Sequence, residues 1–185
     1  MEQIKIIFFA LASFFGIENG MIFSEITTVS VYPANKEIQI IHDKLFVIIQ
    51  SESDSNLVLK QWDECLNRTK SDTQWAQELH SFPIKRLEVK SKGDTIQTIL
   101  SLSYEKESDL RNLGIWYNTD TNQFSINHIP QESITTNDGN LDGNYWYFDG
   151  DNAFMFTIEP FMQVPDQYLK LKVPLRELLR EHNKD

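Results

Sequence analysis

The sequence predicts one α+β domain, with mostly antiparallel meander sheet(s), two early helices and a short C-terminal helix. Apolar and polar residues alternate at period two over much of the chain after residue 25, which is typical of strands with one buried face. Turn-forming residues separate these runs at short intervals and favour sequential antiparallel pairing. The chain of 185 residues is 41% hydrophobic and 24% charged, which fits one globular domain and excludes wholesale disorder.

The N-terminus differs from the rest of the chain. Residues 6–17 form an uncharged apolar run of twelve residues. Crossing a membrane takes about 20 residues, so we predict no integral membrane span, but the run fits the core of a secretory signal peptide. We therefore predict a signal peptide over 1–24 with a cut after Ser24, a single domain over 25–185, and a periplasmic or secreted location. The alternative is a cytoplasmic protein, either with a buried N-terminal helix or with translation that begins at Met21.

Strands and turns alternate at the start of the predicted domain. β-Branched residues predict a strand over 26–32, and a turn over 33–36 leads to two further strands over 37–41 and 45–49. The polar residues between those two strands predict a turn that contains His42. The last run is almost wholly apolar, which predicts a central strand covered on both faces.

Helical spacing appears after residue 51. Val58, Trp62 and Cys65 recur at intervals of three and four and predict an amphipathic helix of about three turns. A capping-box pattern that begins at Ser71 predicts the second early helix, and a third helix is predicted over 175–182. Because the chain has one cysteine, no intrachain disulfide can form, and we expect a buried thiol.

Three hairpins are predicted in the remaining chain. Turn-forming residues at 91–94, 118–122 and 149–152 each lie between apolar runs. The last of these would pair a strand over 145–148 with a strand over 153–158.

Aromatic residues are concentrated on consecutive strands of the C-terminal half. Alternation places Tyr145 and Tyr147 on one face of their strand and Trp146 on the other. One face must meet the core, while the other is either covered as well or open to a protein partner or a sugar. The candidate binding residues are Trp116, Tyr117, Tyr145, Trp146 and Tyr147.

One loop has the ligand spacing of an EF-hand calcium site. Oxygen-bearing side chains fall at loop positions 1, 3 and 5, glycine at 6 and a carboxylate at 12. The pattern is imperfect, because aromatic residues fill positions 8 to 11 and no helix flanks the loop. A polar loop that leads into a hairpin is the alternative, and the sequence indicates no cofactor other than calcium. The candidate ligands are Asp138, Asn140, Asp142 and Asp149.

The net charge and the absence of three common enzyme motifs restrict the classes of function that the sequence supports. The formal charge is −10, and phosphate contacts need clustered Lys and Arg, so we predict no nucleic-acid partner. The sequence contains no G-x-S-x-G, P-loop or G-x-G-x-x-G motif. We therefore predict a non-catalytic binding protein, an exported protein-binding inhibitor or immunity-type module with a more basic partner. The alternatives are a calcium- or carbohydrate-binding accessory domain, and an acid/base hydrolase that pairs Asp149 with Asp151 or Glu159.

Overall fold

The computed structural model describes residues 22–49, 51–67, 79–127, 133–159 and 170–182. These residues form one seven-stranded sheet, one four-stranded sheet, two α-helices and two short 3-10 helices, and their strand pairs are antiparallel. The prediction of a mostly antiparallel α+β protein is confirmed.

The strands, in chain order, are β1 (Ile22–Tyr32), β2 (Glu37–Ile48), β3 (Lys85–Lys92), β4 (Thr95–Ser103), β5 (Ile115–Asn118), β6 (Gln123–Asn127), β7 (Ser133–Thr135), β8 (Gly139–Asp142), β9 (Tyr145–Asp149), β10 (Phe154–Glu159) and β11 (Lys172–Pro174). The α-helices are α1 (Glu52–Leu66) and α2 (Leu175–His182), and the 3-10 helices are Pro33–Asn35 and Glu107–Leu113. The large sheet has the order β3-β4-β2-β1-β10-β7, with β11 paired to the end of β2. The small sheet has the order β5-β6-β9-β8.

The large sheet is built around the long β1–β2 hairpin. Its strands alternate between buried and partly exposed residues, as period two requires. Outside the hairpin, β4 pairs with β2 and β10 pairs with β1. The predicted hairpin at 91–94 is confirmed, and its two-residue turn uses Gly93 at a φ of +59°. The hairpin at 118–122 is also confirmed.

The predicted turn at His42 is wrong. β2 continues through this position, where His42 pairs with Thr27 of β1 and Thr98 of β4. The histidine is only 1% exposed. The strand is distorted at Lys44, whose φ is +56°, and the buried positions of β2 shift there. The polar residues therefore distort the strand without ending it, because neighbours on both sides hold the backbone in the sheet.

The predicted hairpin at 149–152 is also wrong. β9 pairs with β6 and β8 in the small sheet, whereas β10 pairs with β1 and β7 in the large sheet. The residues between them form a corner, where the Gly150 N–H donates to the Asn122 carbonyl at 2.9 Å. A Cβ at Gly150 would lie 2.3 Å from the Asn122 Oδ1 and 2.7 Å from its carbonyl oxygen, so this close approach requires glycine. The sheet order is accordingly not a simple meander.

The helices contribute to the same core as the two sheets. α1 buries Val58, Trp62 and Cys65, the three residues whose spacing predicts it. α2 contacts β2 and β4 and buries Leu175 and Leu178. The second early helix predicted from the sequence lies outside the described residues.

The predicted processing boundary falls inside β1. Ile22 and Ser24 are fully buried and pair with Val47 and Leu45 of β2. The Ser24 hydroxyl donates to the Asp43 carbonyl at 2.9 Å. Within the described part of the chain, no helix has the length and apolarity needed to span a membrane.

Burial of His42 makes the stability of the fold sensitive to acid. Burial lowers the pKa of His42 to about 3, from the ordinary value of 6.5. Among the described residues its Nε2 has no hydrogen-bond partner, and its Nδ1 lies 3.4 Å from the Thr27 Oγ1. Between these two pKa values the unfolded chain binds a proton that the folded chain does not. The contribution of the neutral His42 side chain to the free energy of unfolding is therefore complete at pH values above the unfolded-state pKa of 6.5. It decreases as the pH falls below 6.5.

We predict that wild type loses about 2 kcal/mol more stability than His42→Gln when the pH falls from 7.5 to 5.0. Glutamine is polar but does not titrate, so the variant lacks this linkage whatever its stability at pH 7.5. Urea unfolding of both proteins at both pH values measures the difference. Equal losses in the two proteins would contradict the burial of a neutral imidazole.

Candidate binding face on the small sheet

The small sheet packs one of its faces against the core through a cluster of four phenylalanines, two of its own and two from β10 of the large sheet. Phe148 of β9 stacks on Phe154 of β10, with ring centroids 4.3 Å apart and planes 17° apart. Phe124 lies 5.4 Å from Phe154, and Phe156 lies 5.9 Å from Phe148. All four rings are at most 3% exposed. This phenylalanine cluster determines which face of the small sheet is turned inward.

The register of the small sheet places three aromatic residues on the opposite, outer face. Trp116, Ser125 and Tyr147 lie in one row across β5, β6 and β9, and Tyr145 pairs with Asn127. Tyr145 is 42% exposed, and Trp116 and Tyr147 are partly exposed. The outer face consists of Trp116, Asn118, Gln123, Ser125, Asn127, Asn140, Asp142, Tyr145, Tyr147 and Asp149.

The other two candidate binding residues lie on the inner face. Tyr117 and Trp146 both pack against the hydrophobic core. The Tyr117 hydroxyl also donates to the Asn122 Oδ1 at 2.7 Å. The predicted alternation between Tyr147 and Trp146 is therefore confirmed. The structure brings together three of the five predicted residues and uses the other two in packing.

The outer face has a polar floor between aromatic walls. Ser125 is small and separates Trp116 from Tyr147 by two strand spacings, or about 10 Å. The rings of Tyr145 and Tyr147, 6.3 Å apart, form one wall. On either side of Ser125, the amide side chains of Gln123 and Asn127 continue this polar floor along β6. The binding residues predicted from the sequence do not include these floor residues, although alternation along β6 indicates that they share one face.

Negative charge is concentrated in the part of the chain that contains this face. Between Arg111 and Lys170 the sequence has eight Asp or Glu and no Lys or Arg, so this stretch carries −8 of the formal charge of −10. All four strands of the small sheet lie within it. Asp142 and Asp149 lie toward opposite ends of the outer face and are both exposed. The outer face therefore carries two carboxylates, and its own residues supply no compensating cation.

The candidate calcium ligands are spread along the β8–β9 hairpin. Asp142 lies at the turn, Asp138 and Asp149 lie at the open end, and Asn140 lies between them. Four residues of extended chain, about 13 Å, separate Asp138 from Asp142, whereas calcium ligands lie about 2.5 Å from the ion. Asp138 already accepts the Met155 N–H at 2.8 Å. Among the described residues no group of three or more His, Cys, Asp or Glu is placed to hold a metal ion.

The carboxylates considered for acid/base catalysis are turn and strand-end residues. Asp149 accepts the Asp151 N–H at 2.9 Å, and both are exposed at the corner between the sheets. Glu159 ends β10, about 16 Å of extended chain beyond Phe154. No Asp or Glu is buried in the described ranges, so none of them has the buried apolar setting typical of a general acid.

Comparison with protein-family models, curated proteins and solved structures found no match for this chain. The geometry and charge of the outer face are therefore the observations from which a function can be inferred.

The assignment of the two faces predicts that two tryptophan substitutions lower the free energy of unfolding by different amounts. Trp146→Ala is expected to lower the free energy of unfolding by about 3 kcal/mol, because the side chain packs against the core. Trp116→Ala should lower it by less than about 1 kcal/mol, because the side chain lies on the outer face. Urea unfolding measures both values. A larger loss for Trp116→Ala than for Trp146→Ala would contradict the assignment of the faces.

Proposed function

We propose that this chain is a non-catalytic binding protein whose outer face binds a basic segment of a partner protein. The observation that carries the proposal is the position of Trp116, Tyr145 and Tyr147 on an exposed face inside the stretch that lacks Lys and Arg. Aromatic rings attract Lys and Arg side chains by cation–π interactions. Asp142 and Asp149 add charge-assisted hydrogen bonds near the two ends.

An inhibitor or immunity-type module is the specific form of this proposal. Such a module needs a rigid surface that complements the partner. Here Tyr145 and Tyr147 lie on β9, which Phe148 joins to the phenylalanine cluster, and the strand of Trp116 contacts the cluster through Tyr117 and Phe124. Tyr and Trp anchors surrounded by polar residues are the composition of interface hot spots. Opposite charge speeds the encounter and disfavours acidic partners.

The proposal predicts that capture of a basic partner depends on the outer face. The immobilised chain is incubated with native lysate at low salt, in parallel with Trp116→Ala/Tyr147→Ala and with Asp142→Asn. We expect a basic protein that wild type retains, that about 0.5 M salt releases, and that the double variant does not retain. Asp142→Asn should weaken its retention several-fold.

Met155→Ala is the matched control, because Met155 is 49% exposed but lies on the large sheet. It should retain the partner as wild type does. Capture that is equal for wild type and the double variant, or that does not respond to salt, would count against the proposal.

A carbohydrate is the second candidate ligand. It is favoured by the hydroxyl and amide floor of the outer face, because such groups bind sugar hydroxyls while aromatic rings cover the apolar faces of the sugar. Binding of a neutral sugar would be nearly independent of salt, which distinguishes it from the binding of a basic protein.

We also propose that the chain is exported to the periplasm or beyond. Because Ile22 and Ser24 are fully buried in β1, we place the cut before Ile22, not after Ser24. A periplasmic product from a Gram-negative host should be shorter than the full chain by about 20 residues and should retain Ile22. Intact mass measured on the periplasmic and cytoplasmic fractions tests this. A full-length cytoplasmic product would refute export, and a product that begins at Glu25 would refute the position of the cut.

A further inference from the structure

We propose that β3 is a second docking site, at which an extended acidic segment of a partner protein pairs with the edge of the large sheet. This site does not depend on the function proposed for the outer face. It rests on the length and exposure of β3, the direction of its backbone groups and its charge.

β3 is a long and exposed edge strand. It lies at one end of the order of described strands, and seven of its eight residues are exposed, with Leu87 partly buried. The strand at the other end, β7, has three residues. Short edge strands resist pairing with another chain, whereas long ones offer a row of backbone donors and acceptors. β3 is therefore the edge of the large sheet that can take a further strand.

The hydrogen-bond pattern identifies which backbone groups of β3 face outward. The Ser103 N–H donates to the Ile84 carbonyl at 3.0 Å, which makes these two residues a hydrogen-bonded pair beside β4. Hydrogen-bonded and non-hydrogen-bonded pairs alternate along an antiparallel ladder, so every second residue of β3 directs its N–H and C=O away from β4. These outward-directed residues are Lys85, Leu87, Val89 and Ser91.

The charge of β3 determines the kind of partner. Four of its eight residues are basic and one, Glu88, is acidic. Two copies of β3 paired with each other would bring like charges together, which disfavours a symmetric dimer through this edge. An extended segment with Asp or Glu at alternate positions would instead place its carboxylates on one face, opposite Arg86, Lys90 and Lys92, whereas Lys85 lies on the other face. The basic residues are Lys85, Arg86, Lys90 and Lys92.

A groove beside β3 adds room for an apolar side chain. It has a volume of about 240 Å³, and its lining combines Tyr32, Ile84 and Arg86 with the carboxylates of Glu37 and Glu88, so it suits an apolar side chain and not an acidic one. Tyr32 is 40% exposed and Ile84 is 51% exposed, so both offer apolar surface to a ligand. An acidic segment that also carries apolar residues would therefore fit this edge better than a purely acidic one.

The test uses a fluorescein-labelled octapeptide of alternating Glu and Val, with a Lys and Val octapeptide as its charge-reversed control. Fluorescence anisotropy with the full chain should show binding of the Glu peptide that is at least ten-fold tighter than binding of the Lys peptide. Hydrogen exchange should slow at the amides of Leu87 and Val89 when the Glu peptide binds.

Val89→Pro is the decisive variant. It removes an outward-directed N–H and leaves the bonds to β4 intact, and proline is tolerated at such edge positions, so the variant should fold. Circular dichroism checks the fold. We expect at least a ten-fold loss of affinity for the Glu peptide in Val89→Pro and a similar loss in Lys90→Glu.

Trp116→Ala is the control variant and should bind the Glu peptide as wild type does. The proposal is overturned if wild type does not bind the Glu peptide, if both peptides bind equally, or if Val89→Pro folds and binds normally. A loss of binding in Trp116→Ala would also overturn it, since that result would place the peptide on the outer face.

Discussion

The stack of Phe148 on Phe154 is the contact on which the rest of the architecture depends. These residues belong to consecutive strands that lie in different sheets, and their rings hold the two sheets together with Phe124 and Phe156. Burial of each ring stabilises the fold by about 2 to 3 kcal/mol. A shift of β9 by one residue would expose Phe148 and bury Tyr147, so the cluster also selects the register. The aromatic residues of the outer face are turned away from the core because these phenylalanines occupy the inner face.

The packing of the phenylalanines leaves the described carboxylates of the acidic stretch outside the core. They lie on strands, turns and corners, where solvent reduces their mutual repulsion. The cost of holding many like charges together is therefore small in the free chain, and a basic partner would relieve the repulsion that remains. β3 lies four strand positions from β10 and is basic, so this edge of the large sheet and the outer face of the small sheet differ in charge. The described residues thus include an outer face that carries two carboxylates and no Lys or Arg, and an edge strand in which four of eight residues are basic.

Local pattern predicted the strands well but not their partners. Alternation along β9 correctly separated Tyr147 from Trp146, because side-chain direction depends only on position in the strand. The corner at Gly150 could not be told from a hairpin, since both require small and polar residues, and only the distant pairing of β10 with β1 decides between them. The sequence predicts a turn at His42 for a similar reason. Its polar neighbours favour a loop, and the flanking strands that keep it in β2 are remote in sequence. The stretch without Lys and Arg could be found from the sequence alone, but its relation to one exposed face needed the register.

The central claim is that Trp116, Tyr145 and Tyr147 form an open face while Trp146 and Phe148 face the core. Hydroxyl-radical footprinting of the full chain, with mass spectrometry of each labelled peptide, measures this most directly because it reports the exposure of individual side chains in solution. The account predicts rapid oxidation at the three outer residues and protection of the two inner ones. Faster oxidation of Trp146 than of Trp116 would show that the small sheet presents its other face, and would contradict the account.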